Sequence, residues 1–236
     1  MAELSVEVRV VMCTQNEGKL TEVRKYFEAR QTAAAGGDGA PSVRFVVVSP
    51  SEAGLPQVEV DEDQPTLEGN AAKKARQHYR LLPPSAATPT GPCPDQRSMT
   101  VVVADDTSLA IETLNGEPGI KVRRWKDGIT SMTDEGIITH CLARMQGHSN
   151  RCAGGSDEEP EVEYFNGLLD GTILEEADPM RIAGFPMESL FYVDEYSLLL
   201  GTIQLLPPDE KLKYARLLDK LYARLVELAL SSPPSS

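Results

Sequence analysis

The sequence predicts an α/β protein, and three features predict it. Val6 to Met12 (VEVRVVM) reads as a strand and passes through a short polar turn into Gly18 to Arg30, where Leu20, Val23 and Phe27 recur at helical spacing. A second strand at Arg44 to Ser49 and a helix at Leu67 to Leu82 repeat the alternation. Val101 to Val103 is a β-branched run with the composition of a strand covered on both faces, and it delivers Asp105 and Asp106 at its carboxyl end, where open α/β sheets bind ligands. As an isolated pair the two aspartates read as a turn or a helix cap, positions where Asp is common.

The remaining elements follow from composition and period. Ala71, Ala72, Ala75 and long-chain polar residues suit the Leu67 to Leu82 helix. Gln31 to Ser42 reads as a flexible connection, and Pro83 to Ser98 as a Pro/Ser/Thr-rich surface loop that marks no domain boundary. Met132 to Met145 fits a further helix, Gly147 to Glu159 a polar acidic linker, and Tyr164 to Leu174 strands around Gly167 and Gly171. Asp209 to Leu230 reads as one long closing helix with Tyr214, Leu218, Leu221, Leu225 and Leu228 on one face. One domain over 1–230 is expected, with no internal repeat and a disordered tail, 231–236.

Composition narrows the function. The 236 residues are 41% hydrophobic, ordinary for a globular protein, and no stretch reaches the ~18 apolar residues of a membrane span. The amino terminus, MAELSVEVRVVM, runs straight into an alternating strand and resembles neither a signal nor a transit peptide, so a cytoplasmic location is expected and no membrane partner. Cys13, Cys93, Cys141 and Cys152 form no CxxC pair, which argues against a zinc site and against a disulfide framework; reduced thiols are expected. A net charge of −13 argues against a nucleic-acid surface, because duplex binding needs many phosphates met by Lys or Arg. A small anion remains compatible where basic residues gather locally around a divalent metal.

The turn CTQNEGKLTEV sets Thr14, Asn16 and Lys19 between a strand and a helix amino terminus. Backbone N–H groups and the positive end of the helix dipole favour an anion there, and Lys19 adds a full charge. An ordinary βα turn capped by Asn16 also fits.

Three blocks in order turn these features into a family likeness. Thr14-x-Asn16-x-x-Lys19, with Glu22 on the helix, resembles the opening T/S-x-N-x-x-K motif of the inosine triphosphate pyrophosphatase (ITPase) family. DEDQPTLEGNAAKKAR resembles that family's E-T-G-x-T-F-x-E-N-A-x-x-K-A-R segment, with Glu62, Thr66, Asn70, Ala71, Lys74, Ala75 and Arg76 in register. ADDTSLAIETLNGEPG is similar to its D/E-D-S/T-G/C-L-x-x-x-x-L-x-G-x-P-G segment, with Ser108 in place of Gly or Cys.

The resemblance implies an elongated α/β fold with a central twisted mixed sheet, flanking helices and a cleft between two lobes. It assigns the triphosphate to Thr14, Asn16 and Lys19 and a divalent metal, Mg²⁺ with Mn²⁺ as the alternative, to Glu62 and Asp106. Asp106 matches the family's general base, and Lys74 the lysine placed near the phosphates, so that Lys19, Lys74 and Asp106 form the catalytic set. Asp105 and Thr107 lie beside the metal site and contribute to substrate binding. Arg123 and Arg124 sit where the family carries a basic residue after P-G, although a solvated basic turn fits as well.

The second half departs from the pattern. IAGFPMESLFYV aligns with the family's base-pocket block G-F-G-W/Y-D-P-I/V-F: Gly184, Phe185 and Phe191 match, while Pro186, Glu188 and Ser189 replace Gly, Asp and Pro. In PDEKLKYARLLDKL, Glu210 and Lys211 match the E-E-K-N-x-x-S-H-R block, but Ala215, Arg216 and Leu217 fall on Ser-His-Arg. Phe185, Glu188, Lys211 and Arg216 are therefore the candidate base-side residues, with Arg216 a substitute donor or an outward-facing helix residue. The strand before the G-x-x-x-G element also looks shortened to the acidic segment Arg151 to Pro160.

The expected activity is Mg²⁺-dependent hydrolysis of a nucleoside triphosphate, with ITP, dITP and XTP as first candidates, to the monophosphate and pyrophosphate by a homodimer. The rivals are a divergent paralogue acting on another modified nucleotide and a catalytically silent binding or assembly protein. Loss of the Ser-His-Arg set relaxes base choice more than it affects hydrolysis, because rejection of an analogue rests on buried polar partners.

Overall fold

The computed structural model describes residues 5–34, 42–83, 96–128, 130–146, 152–153 and 162–231. The chain divides into two compact units, one from Met1–Asp63, Asn70–Asp105 and Ala215–Ser236, the other from Gln64–Gly69 and Asp106–Tyr214. Each draws on separated stretches of sequence, so neither is a contiguous piece of the 1–230 span.

The first unit is built on a parallel sheet. Strand β1 (Ser5–Met12) leads into helix α1 (Glu17–Ala34), which returns the chain to β2 (Ser42–Val48). Parallel neighbours need such a crossover. Helix α2 (Leu67–Tyr79) then precedes β3 (Gln96–Val103), and the strand order is β2-β1-β3. The central position of β1 explains its burial: Val6, Val8 and Val10 alternate onto one face, Val11 and Cys13 onto the other, and all are buried. The Val101 to Val103 run, expected on composition to be covered on both faces, is half-buried, and its strand is at the edge of the sheet among the described residues. β-Branched composition reports packing against a sheet face, not which neighbours a strand has.

An aromatic cluster closes one face of this sheet. Phe27 is fully buried, with its ring edge-on to Phe45 at 5.2 Å and tilted against Tyr222 at 5.5 Å. Tyr222 lies on α6 (Arg216–Ser231), whose Leu221, Leu225 and Ala229 are buried. The helix is further tied to α1 by Asp219, which accepts from Tyr26 Oη at 2.5 Å and from Arg30 Nη2.

The second unit is antiparallel. Its strands β4 (Leu109–Ile111), β5 (Glu117–Gly119), β6 (Cys152–Ala153), β7 (Gly171–Ile173), β8 (Phe191–Val193) and β9 (Leu198–Leu199) are joined in the order β5-β4-β6-β7-β8-β9. The mixture of parallel and antiparallel pairing is thus divided between two sheets among the described residues. Gly171 is required by close approach, since a Cβ there would lie 2.1 Å from the Tyr192 carbonyl oxygen. Helix α3 (Asp134–Met145) covers the sheet with Ile137, Ile138, Cys141 and Met145, and Thr133 caps it by accepting from Gly136 N at 3.1 Å.

Several expectations are corrected. No strand forms around Gly167 among the described residues, and β7 begins at Gly171. The Gly147 to Glu159 stretch is not a linker throughout, since it contains the two-residue strand β6, the shortened strand expected within Arg151 to Pro160. The single closing helix is broken into α5 (Pro208–Lys211), a 3₁₀ turn at Leu212–Tyr214 and α6. The chain passes from one unit to the other at Ala215, and the apolar stripe read as one face divides there: Tyr214 packs edge-on to Tyr196 at 4.8 Å in the second unit, while Leu221 and Leu225 are buried in the first. Helix α4 (Leu200–Leu205) precedes it. Most of the Pro-rich loop and the tail 232–236 lie outside the described residues. Cys13 and Cys141 are free thiols. No helix among the described residues is long and apolar enough to cross a membrane.

Because Phe27 holds the aromatic cluster, Phe27→Ala should destabilise the protein by about 3–5 kcal/mol, the range for truncating a fully buried aromatic. Chemical denaturation read by circular dichroism checks this; a loss below about 1 kcal/mol would contradict the packing described.

Candidate active site

Parallel pairing brings the carboxyl ends of β1 and β3 side by side. Met12 is level with Val103, and Cys13 N donates to Val103 O at 2.7 Å, so the turn after β1 and the Ala104–Asp105 segment leave the sheet together. Asp105 is half-buried there and forms an ion pair with Lys19 Nζ from the first turn of α1. A separation of 86 residues in sequence is closed by the strand register.

The turn itself is organised by its side chains. Asn16 Oδ1 accepts from Gly18 N at 2.9 Å and Lys19 N at 3.3 Å, and Thr14 Oγ1 accepts from Asn16 N at 3.2 Å. Asn16 therefore caps α1, meeting two of the donors at the helix amino terminus. The helix dipole remains, with the Lys19 ammonium beside it.

Lys74 on α2 makes the second charged link. Its Nζ donates to Glu62 Oε1 at 2.9 Å and to Asp105 O at 2.9 Å, with only 14% of the side chain exposed. The neighbouring Lys73 donates to Asp61 O at 2.9 Å and Asp63 Oδ1 at 2.7 Å, holding the acidic segment onto the same helix. Four of the residues singled out in the sequence, Lys19, Glu62, Lys74 and Asp105, are thus joined in one network of the first unit. Cys13, the residue after β1, is buried, and that burial pushes its thiol up to about 12 against an opposing pull from Lys74. It is a packed thiol rather than a nucleophile.

Asp106 and Thr107 follow Asp105 directly; Asp106 is half-buried and its Oδ1 accepts from Thr107 N at 2.9 Å. Among the described residues, no three His, Cys, Asp or Glu side chains gather to hold a metal ion.

The base-side candidates occupy different settings. Lys211 Nζ is engaged by Gln204 Oε1, and Arg216 is exposed at the first turn of α6. Glu188 is buried at 4% exposure in the 3₁₀ turn Pro186–Ser189. Phe185 lines a pocket of about 300 Å³ in the second unit, together with Asp134, Glu135, Arg181, Pro186 and Ser189, at the lower end of the range for small-molecule sites.

That pocket is shaped by a clamp that sequence reasoning missed. Arg123 donates through Nη1 to Asp134 Oδ1 and through Nη2 to Gly184 O at 2.9 Å, while Gly184 N donates to Asp134 Oδ2 at 3.1 Å. Both polar groups of Gly184 are held, at φ +86°, a conformation that favours glycine. Phe185 is the next residue, so the clamp sets where its ring begins. The sequence signals were present but separate: a basic residue after P-G, and Thr-Asp-Glu ahead of an apolar period.

The profile of the Ham1 family matches residues 10–216. A protein of Chlorobaculum tepidum named dITP/XTP pyrophosphatase is 30% identical over 203 residues, covering 78% of each chain. A Frankia alni protein of the same name is 33% identical over 198 residues, covering 79% of this chain and 82% of its own. In fold, the chain resembles the solved HAM1 protein of Coxiella burnetii, at a TM-score of 0.60 and 22% identity over 94% of this chain and 99% of that one. It resembles the Ham1 protein of Staphylococcus aureus at a TM-score of 0.59 and 22% identity, over 93% and 98% of the two chains. The ordered motifs, the α/β architecture and these likenesses agree: the chain belongs to the Ham1 family.

Proposed function

We propose that this protein hydrolyses deaminated purine nucleoside triphosphates, dITP, ITP and XTP, to the monophosphate and pyrophosphate. The observation that carries the reading is the charged network at the ends of β1 and β3, Lys19 on Asp105 and Lys74 on Glu62, in a chain whose curated relatives are named dITP/XTP pyrophosphatases. In this reading Thr14, Asn16 and Lys19 take the phosphate chain, with Asp105 and Thr107 beside it. Asp106 orients or deprotonates the attacking water, and Lys19 and Lys74 offset charge growing on the leaving pyrophosphate.

The donors available suit a hard divalent cation. Glu62 and Asp106 offer only oxygen, and Mg²⁺ is commonly held by one or two carboxylates together with phosphate oxygens and water rather than by a protein-only cage. Mn²⁺ accepts the same donors. When bound, the ion would neutralise phosphate charge and lower the pKa of a coordinated water. A homodimer located in the cytoplasm completes the proposal on the family likeness.

The replacement of Ser-His-Arg by Ala215, Arg216 and Leu217 favours a second reading, a divergent member acting on another modified nucleotide. Pyrophosphate release from a panel of triphosphates, with and without Mg²⁺, separates the readings. We expect release from ITP, dITP and XTP that depends on the cation. Preference for a modified pyrimidine triphosphate would support the second reading, and no release from any triphosphate would indicate a silent member.

Asp106→Asn should lower turnover by about 10²-fold or more with the fold retained, because the amide cannot accept the proton and is a poorer metal ligand. Steady-state rates at saturating Mg²⁺, with circular dichroism as the control for folding, check this. A near wild-type rate would remove Asp106 from the mechanism.

A further inference from the structure

The segment that carries Glu62 has little of its own to hold that side chain in one direction. Over residues 56–63 the backbone is irregular, and Glu59, Asp61, Glu62 and Asp63 put four carboxylates within five residues, the last three exposed. Like charges so close repel one another, and an exposed stretch without regular structure opens easily. After Asp63 the chain also leaves the first unit, and it rejoins that unit only at Asn70 in α2. Support for Glu62 has to come from outside the segment.

Helix α2 supplies it through two adjacent lysines with different tasks. Lys74 takes the carboxylate itself: its Nζ donates to Glu62 Oε1 and to Asp105 O, both at 2.9 Å, which brings Glu62 to the end of β3. Lys73 grips the residues on either side of Glu62, donating to Asp61 O at 2.9 Å and to Asp63 Oδ1 at 2.7 Å. The chain is thus fixed at two points with Glu62 between them, all within the first unit. An exposed Lys–Asp pair alone is worth little, and the Asp63 side chain is 59% exposed. The Asp61 carbonyl is what makes a clamp of this one, because it ties down backbone instead of a second mobile side chain.

We propose that Lys73 is a positioning residue for the divalent cation, holding the Glu62 carboxylate within its reach by fixing the backbone on both sides. This rests on the reading of Glu62 as a cation ligand given above. Positioning and plain charge predict opposite signs. An ammonium this near a cation site repels the cation, so its removal tightens binding if charge is all that it contributes. If Lys73 holds the ligand, its removal weakens binding, as loss of a group that orients a metal ligand does.

The test titrates the full chain with Mn²⁺, read by electron paramagnetic resonance, in wild type, Lys73→Met, Glu62→Gln and the double variant. A second readout is the Mg²⁺ concentration for half-maximal pyrophosphate release from ITP. Lys73→Met keeps the aliphatic stem and should bind Mn²⁺ about 10-fold more weakly, with the Mg²⁺ requirement raised by the same factor. In the Glu62→Gln background the same substitution should change Mn²⁺ binding by no more than about twofold, because the group that Lys73 serves is gone. Binding that is equal or tighter in Lys73→Met overturns the proposal. So does a loss of the same size in both backgrounds, which would mean that Lys73 only steadies α2. Should Lys73→Met fail to fold, Lys73→Gln decides by the same comparison. A wild type whose Mn²⁺ binding is absent, or is unaltered by Glu62→Gln, overturns the reading of Glu62 and this proposal together, whereas Glu62-dependent binding that is indifferent to Lys73 overturns this proposal alone.

Discussion

Lys74 is the contact on which the candidate site depends. One ammonium, mostly shielded from solvent, donates to the Glu62 carboxylate and to the carbonyl of Asp105, and so fastens α2 to the end of β3 and to the acidic segment before the helix. Lys19 completes the arrangement by pairing with the Asp105 carboxylate from the first turn of α1. Both cations thus meet on Asp105, one on its carboxylate and one on its carbonyl. In a chain of net charge −13, two lysines are thereby gathered at one end of the parallel sheet.

The pocket of the second unit is held by a related device with the charges reversed in role. There a carboxylate, Asp134, is the hub, receiving the Arg123 guanidinium and the Gly184 amide while Arg123 also holds the Gly184 carbonyl. Such a closed set of hydrogen bonds makes a glycine-containing turn stiff and gives Phe185 a defined starting direction. Arg181 and Glu135, paired through Nε and Oε1, line the same pocket.

Much of this was legible in the sequence, and the limits have physical causes. β1, α1, β2, α2 and α3 declare themselves because each is long enough for its period to repeat. The strands of the second unit, two or three residues long, do not, since alternation over so few positions resembles any loop. The Val101 to Val103 run correctly marks a strand, but its place at a sheet edge depends on partners far away in sequence. The break before α6 is hidden because apolar residues continue through it at helical spacing. In the site, Lys19, Glu62, Lys74 and Asp105 are legible as motif residues, whereas the Lys19–Asp105 pair is set by the register of β1 and β3. Asp134 and Arg181 have no spacing relation to one another, and only the fold brings them to one pocket, with Arg123 behind it on Asp134 and Gly184.

The central claim is that Asp105 serves the anion site by holding Lys19 in place, and Asp105→Asn tests it because positioning and simple charge predict opposite signs. Calorimetric titration with pyrophosphate in Mg²⁺ buffer should show binding weakened by about 10-fold, as Lys19 loses the charged partner that orients it. Binding that tightens when this negative charge is removed would show that Asp105 only repels the phosphate chain, and would contradict the account.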